Sequence, residues 1–240
     1  LAGCSTGGKK ASPVPADGAE VMAAEAARKR AGAGVKDVAI TAAPFTVDLG
    51  GLTSPTWAYG SAVPGGEIRV KAGDLVRARF TNRLPQATTI HWHGIALRND
   101  MDGVPGMTQQ VVPPEGTFEY EFTAPDPGTF WFHPHVGLHL DRGLYAPLIV
   151  EDPAEPGRYD REYTVVRDDW TDGVGQSPEA AMEDLRAGRG PHAAHQAGGG
   201  PRSDVLNSAG GDVSYPLFLL NGRHSSAPVE LAVRKGERIR

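Results

Sequence analysis

Four of the chain's eight histidines stand in two His-x-His pairs, His91-Trp92-His93 and His133-Pro134-His135. Both pairs lie in segments of β type. Side chains at i and i+2 of a strand leave on the same face, so each pair aims two imidazoles into one space. Corresponding members are 42 positions apart, which leaves room for intervening strands to bring the pairs together. Four neutral imidazoles on one side of a sheet suit copper, zinc, iron or nickel. One pair alone would say little. Two in one domain, with Trp92, Trp131 and Phe132 around them, point to a metal site.

The remaining histidines carry less. His139, four residues after His135, reads as a surface or packing residue rather than an outer partner of the site. His192 and His195 fall in a Gly-rich loop and read as solvated, and His224 reads as a turn residue. Trp92, Trp131 and Phe132 are expected to pack the core around the imidazoles rather than to transfer electrons.

The elements that must position the pairs are strands. Alternation of apolar and polar residues marks Glu67–Phe80, Thr117–Thr123, Gly128–His135 and Leu144–Val150. Pairs such as Pro64-Gly65, Asp102-Gly103 and Pro105-Gly106 mark the loops between them. Short strands spaced this way predict an all-β sandwich or barrel. A repeat is also visible. Val70-Lys71-Ala72-Gly73-Asp74-Leu75-Val76-Arg77 has a counterpart in Val233-Arg234-Lys235-Gly236-Glu237-Arg238-Ile239-Arg240, and Trp57-Ala58-Tyr59-Gly60 one in Leu219-Leu220-Asn221-Gly222. The expected plan is therefore a tether over residues 1–34 and a β-domain over 35–155. A second copy, expected to be incomplete, follows over 156–240. A long loop interrupts it at 171–214, with a short helix at Pro178–Ala187.

Composition excludes several classes. With 24 Lys+Arg against 29 Asp+Glu the net charge is −5, which argues against a nucleic-acid partner. The single cysteine, Cys4, excludes an internal disulfide and a multi-thiolate zinc site. No run of 18 apolar residues is present to span a bilayer as a helix. The opening Leu1-Ala2-Gly3-Cys4-Ser5 resembles a bacterial lipobox, which would place a lipid anchor on Cys4. Residues 5–34 read as a flexible linker, with a short Ala-rich helix at Val21–Arg30 on which nothing functional depends.

In order along the chain stand His91-Trp92-His93-Gly94, Met101-Asp102-Gly103-Val104-Pro105, Gly128-Thr129-Phe130-Trp131-Phe132-His133-Pro134-His135 and Asp141-Arg142-Gly143-Leu144-Tyr145. This string resembles the multicopper oxidases, the laccase-like family of repeated cupredoxin domains. The match is close over Phe45–Asp152 and looser beyond. The resemblance implies a cupredoxin-like Greek-key fold and half of the histidines around a three-copper cluster that reduces dioxygen to water. His91 would bind type 2 copper; His93, His133 and His135 would bind the type 3 pair. Asp102, where the family carries a carboxylate near the cluster, would relay protons, or else serve only as a turn residue.

Pro134 departs from the family's small polar residue and must sit where no ladder hydrogen bond is needed. The type 1 site, which needs a Cys thiolate with two His, is expected outside this chain, as is the other half of the cluster ligands. The reading is thus the N-terminal part of an extracytoplasmic oxidase. It would use O₂ and a small reducing substrate (a phenol, another aromatic or a metal ion), inactive by itself and open to homo-oligomerisation. Weaker readings are a copper-binding or storage protein without turnover, a copper nitrite reductase-like protein, whose type 1 Cys the first domain lacks, and a zinc hydrolase.

Overall fold

The computed structural model describes residues 14–187, 189, 213 and 215–240. From Val35 the alternating pattern becomes strand, with β1 (Val35–Asp48) folding back on β2 (Thr53–Tyr59). The run Glu67–Phe80 is two strands, β3 (Ile68–Lys71) and β4 (Leu75–Asn82). Between them the chain reverses at Gly73, whose φ of +96° a side chain would oppose, and the Asp74 carboxylate accepts the Lys71 N–H at 2.8 Å. Then come β5 (His91–His93), β6 (Thr117–Thr123), β7 (Gly128–His133) and β8 (Ala146–Glu151).

These strands form two four-stranded sheets, in orders β2-β1-β4-β6 and β3-β8-β7-β5. β1 pairs with β4, and β3 with β8, in parallel; the other pairs are antiparallel. Parallel neighbours require the chain to cross between sheets, which gives the Greek-key sandwich that the strand spacing predicts. Inward side chains fill the space between the sheets. Val76, Ala78, Phe80, Ile90, Trp92, Phe122 and Leu148 are wholly buried, each large one contributing roughly 1.5–3 kcal/mol of burial.

Helix α1 (Ala19–Arg28) is not the free tether expected of its composition. The Glu25 carboxylate, buried against β6, accepts the Thr123 N–H at 2.6 Å, and the Arg28 guanidinium donates to the Ala96 carbonyl at 2.7 Å. β6 is the outer strand of its sheet. Its N–H groups at Glu121 and Thr123 are taken by the Met101 sulfur (3.3 Å) and by Glu25.

Beyond β8, strands β9 (Arg167–Trp170), β10 (Leu217–Leu220) and β11 (Arg223–His224) form a small sheet in the order β11-β10-β9. Trp170 and Leu219 pack with Val47, Leu49, Ala58, Val63 and Tyr145 in a second apolar cluster. Helix α2 (Pro178–Arg186) starts where Ser177 accepts the Ala180 N–H and Pro178 fills the first turn. The repeated turn recurs in three dimensions. Gly236 has φ +95°, the Glu237 carboxylate accepts the Arg234 N–H at 2.7 Å as Asp74 does for Lys71, and Ile239 bridges Arg161 in parallel as β4 pairs with β1. Cys4, His192, His195 and Gly198–Gly200 lie outside the described residues.

Candidate metal centre

β5 and β7 run antiparallel with His91 opposite His133, Trp92 opposite Phe132 and His93 opposite Trp131. Strand alternation then sorts the six residues by face. Trp92 and Phe132 turn into the core, 5.2 Å apart between ring centres. His91, His93, His133 and Trp131 share the other face. Ring-centre separations are 5.6 Å for His91–His93, 5.4 Å for His91–His133 and 5.3 Å for His93–His133. One nitrogen from each of these three comes within 4.8 Å of the others.

His135 reaches the same place by a different route from the one its spacing predicts. β7 ends at His133, because Pro134 has no N–H to continue the ladder. The chain turns there, leaving His135 exposed with its ring 4.8 Å from that of His91 and 5.7 Å from that of His133. All four imidazoles gather at one rim of the sandwich, three on strands and one on the loop beyond.

Two of the rings are aimed by main-chain carbonyls. Nδ1 of His91 lies 2.7 Å from the Asp102 carbonyl, and Nδ1 of His133 lies 2.8 Å from the Pro134 carbonyl. A carbonyl only accepts, so each Nδ1 carries the proton and each Nε2 keeps its lone pair free for a ligand. Sequence offered no sign of these backbone acceptors. His93 Nδ1 and His133 Nε2 hydrogen-bond at 3.1 Å. Burial, with His91, His93 and His135 nearby, brings the His133 imidazole down to about 4, against the partial support of the Pro134 carbonyl. Burial likewise lowers His135, with His91 adding to the effect. Both are neutral near pH 7, as ligation requires. The donor set is neutral imidazole with one carboxylate at its margin, which fits copper.

That carboxylate is Asp102. Its Oδ1 is 3.3 Å from His91 Nδ1 and it remains partly exposed. It is held there by Gly103, which has φ +76° and lies so close to β5 that a Cβ would come 1.7 Å from the Ile90 carbonyl oxygen.

Three further residues take clear positions. His139 is buried, bonded to Thr88 Oγ1 and Gln86 Oε1 at 3.1 Å each and edge-on to Trp57; it packs away from the four imidazoles. His224 ends β11, with Nδ1 on Ser226 Oγ. Trp131 packs as expected, but against the second apolar cluster rather than with Trp92 and Phe132 between the sheets. Being two residues from His133, it shares the histidine face, partly buried, with ring centres 4.2 Å from His133 and 5.0 Å from His93.

Two packed sheets with Greek-key crossings and imidazoles gathered at one rim define an all-β, cupredoxin-like domain. The chain matches the multicopper oxidase family over residues 41–155, and that domain belongs to the family. Among relatives, multicopper oxidase MmcO of Mycobacterium tuberculosis is 46% identical over 226 residues, covering 92% of this chain and 44% of that protein. Copper resistance protein A of Pseudomonas syringae is 40% identical over 141 residues, 58% of this chain and 23% of that protein. The crystal structure of a multi-copper oxidase from Pseudomonas thermotolerans superposes with TM-score 0.62 at 33% identity, covering 80% of this chain and 42% of that one. The chain thus spans less than half the length of these relatives.

Proposed function

We propose that this chain supplies one half of a copper site in an oxidase that couples one-electron oxidation of a small reductant to four-electron reduction of O₂ to water. The reductant is a phenol, another aromatic or a metal ion. The observation that carries this reading is the pairing of His91 with His133 across β5 and β7, each with Nδ1 tied to a carbonyl and Nε2 on the side shared with the other imidazoles. Copper held by these imidazoles would supply one-electron redox change and Lewis-acid binding of dioxygen. His91 is assigned to the type 2 position and His93, His133 and His135 to the type 3 pair.

The protein's own part is to hold these rings aimed and dry on one side. Trp92 and Phe132 seal the core beneath β5 and β7, and the Asp102 and Pro134 carbonyls fix ring rotation. Asp102, partly exposed at 3.3 Å from His91, is placed to pass protons from solvent toward the site, since reducing O₂ to water consumes them. The chain's only cysteine is Cys4, so the thiolate of the substrate-oxidising copper, and the remaining cluster ligands, are assigned to other residues of the enzyme. Cys4 itself, in its lipobox-like setting, is the proposed point of lipid attachment on the outer side of a membrane. No helix among the described residues is long and apolar enough to cross one.

Replacing His133 by Ala in the full protein tests the reading. Copper bound per chain should fall and oxygen uptake should stop; uptake at the parent rate would overturn it.

A further inference from the structure

The loop 94–102 begins beside His93, where β5 ends, and finishes at Asp102, whose carbonyl aims His91. Both of its ends therefore belong to the histidine site. A 3₁₀ turn, Asn99–Met101, closes it: the Met101 N–H donates to the Arg98 carbonyl at 3.0 Å and the Asp102 N–H to the Asn99 carbonyl at 3.2 Å. Inward, Ile95 is buried, and Leu97 and Met101 pack against the main core. Outward, the loop meets helix α1. The Arg28 guanidinium donates to the Ala96 carbonyl at 2.7 Å. Arg98 donates to the Met22 sulfur at 3.8 Å while holding both oxygens of Asp100, at 2.8 and 3.1 Å.

The helix is a fixed platform. Glu25 seats it on β6. Just past its end, Arg30 packs on the turn at Gly73, where a Cβ would come 2.5 Å from the Arg30 side chain, and donates to the Pro125 carbonyl at 3.2 Å. The Gly34 N–H donates to Asp74 Oδ1 at 2.6 Å. α1 also precedes residues 41–155, the span that matches the family.

We infer that α1 is a positioning element of the histidine site, with Arg28 and Met22 as its positioning residues. They hold the loop 94–102 and, through it, the Asp102 carbonyl that fixes the His91 ring. What the aimed ring serves rests on the copper reading above. Gly103 pins the far end of the loop against Ile90, but one pinned end leaves the last peptide planes free to turn. Hydrogen bonds weaken steeply away from linearity, so a carbonyl that turns loses its N–H partner. The Asp102 carboxylate, 3.3 Å from His91 Nδ1, rides on the same loop. With these acceptors displaced, His91 gains the tautomer that carries its proton on Nε2 and cannot offer that nitrogen as a ligand. His133 stands outside this chain of contacts, because its acceptor is the Pro134 carbonyl. α1 therefore acts on one of the two imidazoles and not on the other.

The test uses the full protein, metal-free, with ¹⁵N-labelled histidine, at mildly alkaline pH. Arg28→Ala combined with Met22→Ala removes the reach of α1 and leaves the Glu25 bond to Thr123 in place. In the parent, long-range ¹H–¹⁵N NMR should show one protonated and one bare nitrogen in each of His91 and His133. In the double variant the two His91 resonances should move toward each other as tautomers exchange, while those of His133 stay. Arg28→Lys, which can still donate to Ala96, should keep His91 as in the parent. Copper should bind the double variant about 10-fold more weakly. If that variant fails to fold, Arg28→Ala and Met22→Ala singly give the same readout. Unchanged His91 resonances, an unchanged copper affinity, or an equal change at both rings overturns the inference. A parent that binds no copper overturns the copper reading instead, and the nitrogen resonances still decide whether α1 aims His91.

Discussion

His133 hydrogen-bonds through Nδ1 to the carbonyl of the very next residue, Pro134, at 2.8 Å. The residue that ends β7 therefore also aims the ring just before it. Pro134 has no N–H to give the ladder, and its carbonyl, released from strand pairing, becomes the acceptor that takes the His133 Nδ1 proton and leaves Nε2 to face the other imidazoles. Strand termination and ligand orientation are one event at this position.

Asp102 offers His91 two acceptors, a carbonyl at 2.7 Å and a carboxylate oxygen at 3.3 Å. Asp102→Ala deletes only the second. Copper per chain should stay at the parent level because the carbonyl still aims the ring. Oxygen reduction should fall by about 100-fold or more, the usual contribution of a positioned proton donor. Metal analysis and oxygen uptake on the same preparation separate the effects; parallel loss of copper would show that the carboxylate holds the site together.

Gly103→Ala should be costly although it adds one methyl group. A Cβ there would meet the Ile90 carbonyl at 1.7 Å, at a φ of +76°. Destabilisation above about 1 kcal/mol is expected from the backbone conformation alone, with further loss from the displaced loop. Thermal unfolding should show a lowered Tm. An unchanged Tm would mean that the loop holding Asp102 does not lie against β5 as described.

Arg142 ties the turn after the histidines to Asp172 and to the first turn of α2. Its guanidinium pairs with Asp172 at 3.0 Å and Glu179 at 2.5 Å and covers the Trp57 ring at 5.0 Å. The Asp172 side chain is only 4% exposed, so Arg142→Ala leaves a buried carboxylate without its partner, at a cost of about 3–5 kcal/mol. Adding Asp172→Asn to that variant should recover part of the stability. A double variant no better than Arg142→Ala in a denaturant titration would remove the ion pair from the explanation.

Asp168 should make stability depend on pH. Burial, with Asp169 and Asp141 close by, raises it from 3.8 to about 6 despite the Tyr145 hydrogen bond. Between those values the folded chain keeps a proton that the unfolded chain has released, so this group's contribution declines as pH rises through the window. The gap of about two units corresponds to at most about 3 kcal/mol. Asp168→Asn should therefore flatten the change in Tm between about pH 4 and 6.5; an unaltered slope would count against a raised Asp168.

The gathering of the histidines was legible in the sequence to the extent that it rests on strand alternation. His91, His93 and His133 follow the period of two, and Thr117–Thr123 is the strand that its pattern describes. His135 arrives at the same rim although β7 has already ended, so the correct grouping came from a spacing rule that applies to only one of the two pairs. Trp131 was legible by the same rule: two residues from His133, it had to share that face, and only its aromatic character suggested core. What could not be read was anything made by the backbone. The carbonyls of Asp102 and Pro134 carry no side-chain signature, and the docking of α1 depends on a single Glu25 meeting the outer edge of β6.

That meeting has a bearing on how copies of this protein behave in a crowd. An outer strand with free N–H groups is a template on which a neighbouring chain can add its own strand. Along β6 the outward N–H groups of Glu121 and Thr123 are already occupied, by the Met101 sulfur and the Glu25 carboxylate. Helix α1 thereby acts as a stopper against edge-to-edge association, and disturbing that contact would expose the molecule to aggregation.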